Sequence, residues 1–252
     1  MQTKVKTILT NTGNLTIFGG KFFKVMLAPP YEFKEFVKQC FSIGYKSLPL
    51  VAVTGFIMGF VLTLQSRPTL ATFGAESWLP KMVALSLIRE IAPVVTGLIC
   101  AGKIASGISA ELGSMKVTEQ IDAMEVSAIN PYKYLVVTRI MATTLMVPLL
   151  VIFADLIGIY GGYVGVNIHS KITLFRYFTQ IFESLGFSDI LPATIKTFFF
   201  GYFIGMIGCY KGFTASNGTE SVGKAANEAV VIASLSIFLI DIIAVQLTDF
   251  FF

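Results

Sequence analysis

Two adjacent full charges, Arg89 and Glu90, interrupt an apolar run that extends from Met82 to about Ala110 and includes "ALSLIREIAPVV". Charges in such a run are costly unless they have partners or face a wet cavity. Neighbours on a helix point about 100° apart, so the two do not pair with each other in a straight helix. Pro93 lacks an N–H and crowds the carbonyl four residues back, which is that of Arg89, and this predicts a kink at the charged pair. With a span beginning near Met82, Arg89 lies about 10 Å along it. There a guanidinium reaches the outer headgroups or lines a cavity open to that side. An interhelical salt bridge to Asp155 or Asp241 is the structural alternative, and the two readings are compatible.

Other constellations are excluded on chemical grounds. "GLICAGKI", Gly97 to Ile104, nearly spells a phosphate-binding loop. However, Ile104 offers no hydroxyl to magnesium after Lys103, and the segment sits in an apolar helix rather than a glycine-rich loop after a strand. If ATP drives this protein, another chain binds it. The single histidine, His169, lies outside the apolar runs and reads as a surface residue, so no Ser-His-Asp arrangement is supported. Cys40, Cys100 and Cys209 share no ligand spacing and read as small apolar residues. No catalytic residue and no metal site is expected.

The elements that carry these residues follow from composition. Of 252 residues, 54% are hydrophobic and only 13% charged, and the mean hydropathy is +0.75. A soluble domain of this length needs more charge to cover its surface. The net charge of +4 is small and gathers at the N-terminus, which makes nucleic-acid binding a poor reading. Runs near 48–66, 82–110, 140–166, 193–212 and 228–248 are long enough to span a bilayer. The expected fold is an all-α integral membrane protein, in which 48–252 forms one five-span domain. Residues 1–47 form a cytoplasmic N-terminus with an interfacial helix, and no cleaved signal peptide is evident.

That interfacial helix is read from Tyr31 to Ser47, where Phe33, Phe36, Val37, Phe41 and Ile43 alternate with Lys34, Lys38 and Lys46, and Pro29-Pro30 set its start. Seven lysines (Lys4, Lys6, Lys21, Lys24, Lys34, Lys38 and Lys46) precede the first span and favour a cytoplasmic N-terminus. Five spans then place 111–139 inside and the C-terminus outside. Small residues recur at four-residue spacing, as in Gly55/Gly59, Gly158/Gly162 and Gly201/Gly205. The second span carries a ladder of Gly97, Ala101, Ala105, Ser109 and Gly113, which suits close helix packing within or between subunits.

After that span, Gly113 and Pro131 bracket a moderately polar, helix-favouring segment. Thr118, Glu119, Gln120, Asp122, Met124 and Glu125 belong to it, with Ile121 and Val126 interleaved, and Glu111 stands just before it in the same 111–126 coupling region. A cytoplasmic amphipathic helix there suits docking into a groove on a soluble partner.

At "LIREIAPVVTGLICAGKIASGISAELGSMKVTEQIDAMEVSAINP" the chain resembles the MlaE-type permeases, the membrane subunits of MCE-associated lipid ABC transporters. Further similarity lies in "GFVLTLQ" (Gly59 to Gln65) and "VGKAANEAVV" (Val222 to Val231), and the likeness covers roughly residues 30 to 248. Lys103 departs from the pattern, since an arginine is also familiar there. The resemblance implies an ABC-transporter permease, not itself an enzyme, that moves phospholipids between membranes. It implies a homodimer in a bacterial inner membrane, cytoplasmic ATPases bearing ATP and magnesium, and MCE-domain proteins on the outer side. Arg89, Glu90 and Pro93 would line or brace the lipid cavity, and 111–126 would couple it to the ATPase. The alternative function is an ATP-independent channel or secondary transporter that uses Arg89, Glu90, Asp155 and Asp241 as an ion relay.

Overall fold

The computed structural model describes residues 2–29, 31–216 and 218–251, and every regular element among them is helical. Pro30, expected with Pro29 at a helix start, lies outside the described residues, as do the side chains of Lys4 and Lys6. Five helical stretches are long and apolar enough to cross a membrane: Phe33–Thr72, Glu76–Val117, Tyr132–Asn167, Phe187–Phe213 and Thr219–Thr248. The chain is therefore an all-α, multi-pass membrane protein. Each span outruns its apolar stretch, because hydropathy marks only the part that avoids water. Backbone i→i−4 pairing carries the helix on through polar residues such as Lys116 and Glu220.

The amphipathic segment is helical over Phe33–Gly44, passes through a 3-10 turn at Tyr45–Ser47 and continues from Leu48. Pro49 is tolerated there because the first turn of a helix has no use for its missing N–H. The polarity of Phe33–Gly44 is inverted relative to a soluble helix. Glu35 and Gln39 are buried and hydrogen-bonded to each other at 2.8 Å, whereas Phe33, Val37 and Phe41 face outward. An exposed apolar stripe at i, i+4, i+8 spacing is what a hydrocarbon surround favours.

A helix over Gln2–Met26 is absent from the expected elements. It docks through Phe18, whose ring meets those of Tyr132 and Tyr210 edge-on at 5.1 and 5.5 Å. The Tyr132 hydroxyl also donates to the Phe18 carbonyl.

The chain divides into two compact units, each gathered from separated stretches. One comprises the chain up to Ile43, Ala101–Leu145 and Gly201–Ser236; the other comprises Gly44–Cys100, Met146–Phe200 and the chain from Ile237 onward. Within the first, a Cβ on Gly208 would stand 3.0 Å from the Ala105 carbonyl oxygen, and one on Gly212 2.9 Å from that of Ser109. The ladder positions Ala105 and Ser109 thus meet the fourth span of the same chain. Gly113 faces Val222 and Ala215, and Ala101 is fully buried. Within the second unit, Gly55 and Gly59 lie against the backbone of Ala154 and Gly158, and Gly97 faces Phe200 and Ile237.

The kink expected at Pro93 takes the form of a π turn over Leu87–Ile91, in which the Ala92 N–H reaches the Leu87 carbonyl. Widening the turn accommodates the proline ring and the carbonyl it would otherwise strike. A second π turn spans Ala101–Ala105 with no proline near it, and a third opens the third span at Tyr132–Val137. Gly113 does not end the second span; the helix runs through it to Val117. The break falls at Thr118 and Glu119, and Glu119 has φ +58° before the short helix Gln120–Val126 begins. Glycine needs no break when its missing side chain serves packing, as it does at Gly113.

Candidate functional site

Arg89 and Glu90 open into a cavity of about 230 Å³ in the second compact unit. The π turn of the second span supplies both charges. The start of the fourth span adds Ser188, Asp189, Pro192, Ala193 and Lys196, and the end of the fifth adds Ala244, Val245 and Thr248. The helix begins at Glu76 rather than Met82, so Arg89 lies about 20 Å from its start.

The two charges take separate partners, as their divergence around the helix requires. Arg89 Nε is 3.0 Å from Asp189 Oδ1. Neither Asp155 nor Asp241, the partners expected for Arg89, takes that place. Asp189 stands in the first turn of its helix, where the macrodipole favours a carboxylate. Its Oδ2 accepts from the Gly186 N–H at 2.9 Å. Both of its oxygens are therefore fixed, and Asp189 holds Arg89 through Nε. The Arg89 side chain stays half exposed.

Lys196 holds Glu90. Its Nζ is 2.8 Å from Glu90 Oε2 and 2.8 Å from Asp241 Oδ1, which ties the second, fourth and fifth spans together. The lysine side chain is only 4% exposed, while that of Glu90 is 45% exposed. Lys196 and Asp189 were not singled out from the sequence. The available signal was a lone cation in "ATIKTFFF", because a charge in a span calls for a counter-charge.

Asp155 stands apart from this cluster. It lines a second, apolar cavity of about 190 Å³ together with Ile88, Pro93, Pro148, Phe178 and Ile181. Its Oδ1 has no hydrogen-bond partner among the described residues. Ala193 lines both cavities, and the π turn contributes Arg89 and Glu90 to one and Ile88 to the other.

In the first unit, Glu111 Oε1 forms an ion pair with Arg139 Nη2 at 2.8 Å. Arg139 is the largest fully buried side chain, and it also donates to the Leu135 carbonyl at 3.0 Å within the π turn of the third span. Glu111, expected in the ATPase-coupling segment, is thus the counter-ion of a buried arginine. Beyond it, Thr118, Glu119, Gln120, Asp122 and Glu125 are exposed, Met124 is half-buried and Ile121 is buried. Asp122 is tied back to Lys116 at 2.7 Å, and Val126 is 90% exposed. His169 is exposed, and among the described residues Cys40, Cys100 and Cys209 form no disulfide, Cys100 and Cys209 being buried.

Comparison with known proteins agrees with this architecture. The family model "Permease MlaE" matches residues 36–247. A probable ABC transporter permease protein of Rickettsia bellii is 37% identical over 235 residues, 93% of this chain and 91% of the relative. A probable ABC transporter permease protein of Synechocystis is 34% identical, covering 87% of this chain and 84% of its own. The intermembrane phospholipid transport system permease protein MlaE of Haemophilus influenzae is 35% identical over 230 residues, 89% of this chain and 88% of that protein. A family model that spans the permease body, with relatives aligned over nearly their full length, means that this chain belongs to the MlaE permease family.

Proposed function

We propose that this protein is the permease subunit of an ABC transporter that moves phospholipid between membranes, with ATP and magnesium bound by a separate cytoplasmic ATPase. The observation that carries the reading is a polar cavity inside the spans, with half-exposed Arg89 and Glu90 at its wall and an apolar cavity sharing Ala193. A phospholipid requires that pairing of a charged recess and an oily one. With Nε committed to Asp189, the two terminal nitrogens of Arg89 form the edge that meets a phosphate bidentately. The name of the Haemophilus relative, an intermembrane phospholipid transport system permease protein, points the same way.

In this reading the protein works as a homodimer in a bacterial inner membrane. The N-terminus and the Thr118–Val126 segment are cytoplasmic, where the segment couples to the ATPase, and the C-terminus is on the outer side with an MCE-domain partner. The exposed Phe33, Val37 and Phe41 support an interfacial position for their helix.

The experiment is lipid transport in reconstituted vesicles by the assembled transporter. Arg89→Ala should lower transport at least tenfold while leaving assembly and basal ATP hydrolysis intact. Arg89→Lys should recover little of it, because an ammonium is a point charge rather than a fork. Normal transport by a stably assembled Arg89→Ala and Glu90→Ala double variant would refute the assignment.

A further inference from the structure

We infer that the polar cavity selects phospholipids with a zwitterionic headgroup over anionic ones, an inference that rests on the phospholipid reading above. The charges on the page decide it. Arg89 and Lys196 are the cations at the cavity, and Asp189, Glu90 and Asp241 are the carboxylates that touch them. With all five ionised, the cluster among the described residues carries one surplus negative charge (two cations, three anions). Ser188 and Thr248 line the same cavity as neutral hydroxyls and do not alter that balance.

The geometry distributes the surplus. Asp189 is engaged at both oxygens, by Arg89 and the Gly186 N–H, and is largely covered, as is Asp241, their side chains 13% and 17% exposed. Glu90 meets Lys196 through Oε2 and remains nearly half exposed. A carboxylate has about four lone-pair sites, so Glu90 retains acceptor capacity toward the cavity. The terminal edge of Arg89 and the open side of Glu90 therefore form two adjacent poles of opposite sign on one π turn.

A headgroup such as that of phosphatidylethanolamine satisfies both poles, its phosphate on Arg89 and its ammonium on Glu90. It adds no net charge. Phosphatidylglycerol brings a phosphate with no cation, which leaves Glu90 unanswered and raises the local charge from one negative to two. Like charges brought together oppose binding, even at half-exposed side chains where the effect is modest.

The test is native mass spectrometry of the full-length purified protein, titrated with phosphatidylethanolamine or phosphatidylglycerol of identical acyl chains. Phosphatidylethanolamine should bind on the order of fivefold tighter, the scale of one partly exposed charge pair. Glu90→Gln, which removes the surplus charge, should bring the two lipids to within about twofold of each other. The wild-type comparison needs no variant to fold. Arg89-dependent binding with phosphatidylglycerol equal or tighter would overturn the headgroup preference and leave the phospholipid reading standing. Binding of both lipids that ignores Arg89→Ala would remove the phospholipid site itself.

Discussion

The Lys196 ammonium lies 2.8 Å from a carboxylate oxygen of Glu90, a residue 106 positions away in the chain. The same nitrogen meets Asp241, so one buried cation bridges two carboxylates that repel each other without it. Removing one partner of a buried pair leaves an uncompensated charge, which costs about 3–5 kcal/mol when burial is complete. Glu90 is nearly half exposed, so the expected loss for Lys196→Ala is smaller, roughly 2–3 kcal/mol. Thermal unfolding of the detergent-solubilised protein reads it. Neutralising all three, as Lys196→Met with Glu90→Gln and Asp241→Asn, should recover much of that loss. A triple variant less stable than Lys196→Ala would contradict the ion-pair account.

Glu111 and Arg139 give a second prediction, which separates stability from coupling. Arg139 is buried and Glu111 is its only carboxylate among the described residues, so Glu111→Ala strands a guanidinium in the protein interior. The expected result is a lower unfolding temperature and poor recovery from the membrane, with the ATPase partner still bound by the protein that survives. Adding Arg139→Leu should restore part of the stability. If Glu111 instead acts on the ATPase, Glu111→Ala will be stable and uncoupled.

The contrast between these two clusters explains what the sequence made legible. Five apolar runs announce five spans, because solvent preference is written locally along the chain. Arg89 and Glu90 stand out for the same reason. Their partners do not, since which acid meets which base depends on helix rotation and on separations such as 106 residues. The N-terminal helix was missed because "TNTGNLTIFGG" is poor in intrinsic helix formers. Its stability comes from tertiary contacts, Phe18 against Tyr132 and Tyr210, that no local pattern reveals. The π turn at Leu87–Ile91 had a signal in Pro93; the one at Ala101–Ala105 had none.

Glycines that look alike in sequence should behave differently on substitution. A Cβ at Gly59 would run into the Gly158 carbonyl, whereas one at Gly107 meets nothing within 4 Å. Gly59→Ala should therefore force the first and third spans apart and cost about 1–3 kcal/mol. Gly107→Ala should be neutral or gain up to about 1 kcal/mol from helix propensity. Unfolding temperatures of the two variants check the ranking, and equal values would mean that the spans do not meet at Gly59.

Orientation has its own test. Ser127 lies in the loop after the second span and His169 in the loop after the third, and both are exposed. Cysteines placed at these positions in a chain lacking the three natural ones should be labelled from opposite faces of sealed vesicles, Ser127→Cys from the cytoplasmic side. Labelling of both from one side contradicts the five-span order.

The coupling segment can be tested by separating its shape from its charge. Glu119 adopts φ +58°, a conformation that costs an L-residue roughly 1–2 kcal/mol relative to glycine. A side chain retained at a strained, exposed break is a reason to look for work done by that side chain. Glu119→Gly should leave the permease as stable as before, or more so, because the backbone strain is relieved. If the carboxylate contacts the ATPase, the same change should still weaken co-purification and ATP-driven lipid transport. Asp122 is a poorer probe, since it already pairs with Lys116 at 2.7 Å and its reversal would disturb that contact first. The informative charge variant is therefore Glu119→Lys with Glu125→Lys, both exposed. A single rim pair is worth no more than about 1 kcal/mol, so the double change is needed to move binding by roughly tenfold. Unchanged ATPase binding and coupling in the double variant would exclude these two acids from the contact, and intact coupling in Glu119→Gly would reduce Glu119 to a backbone hinge.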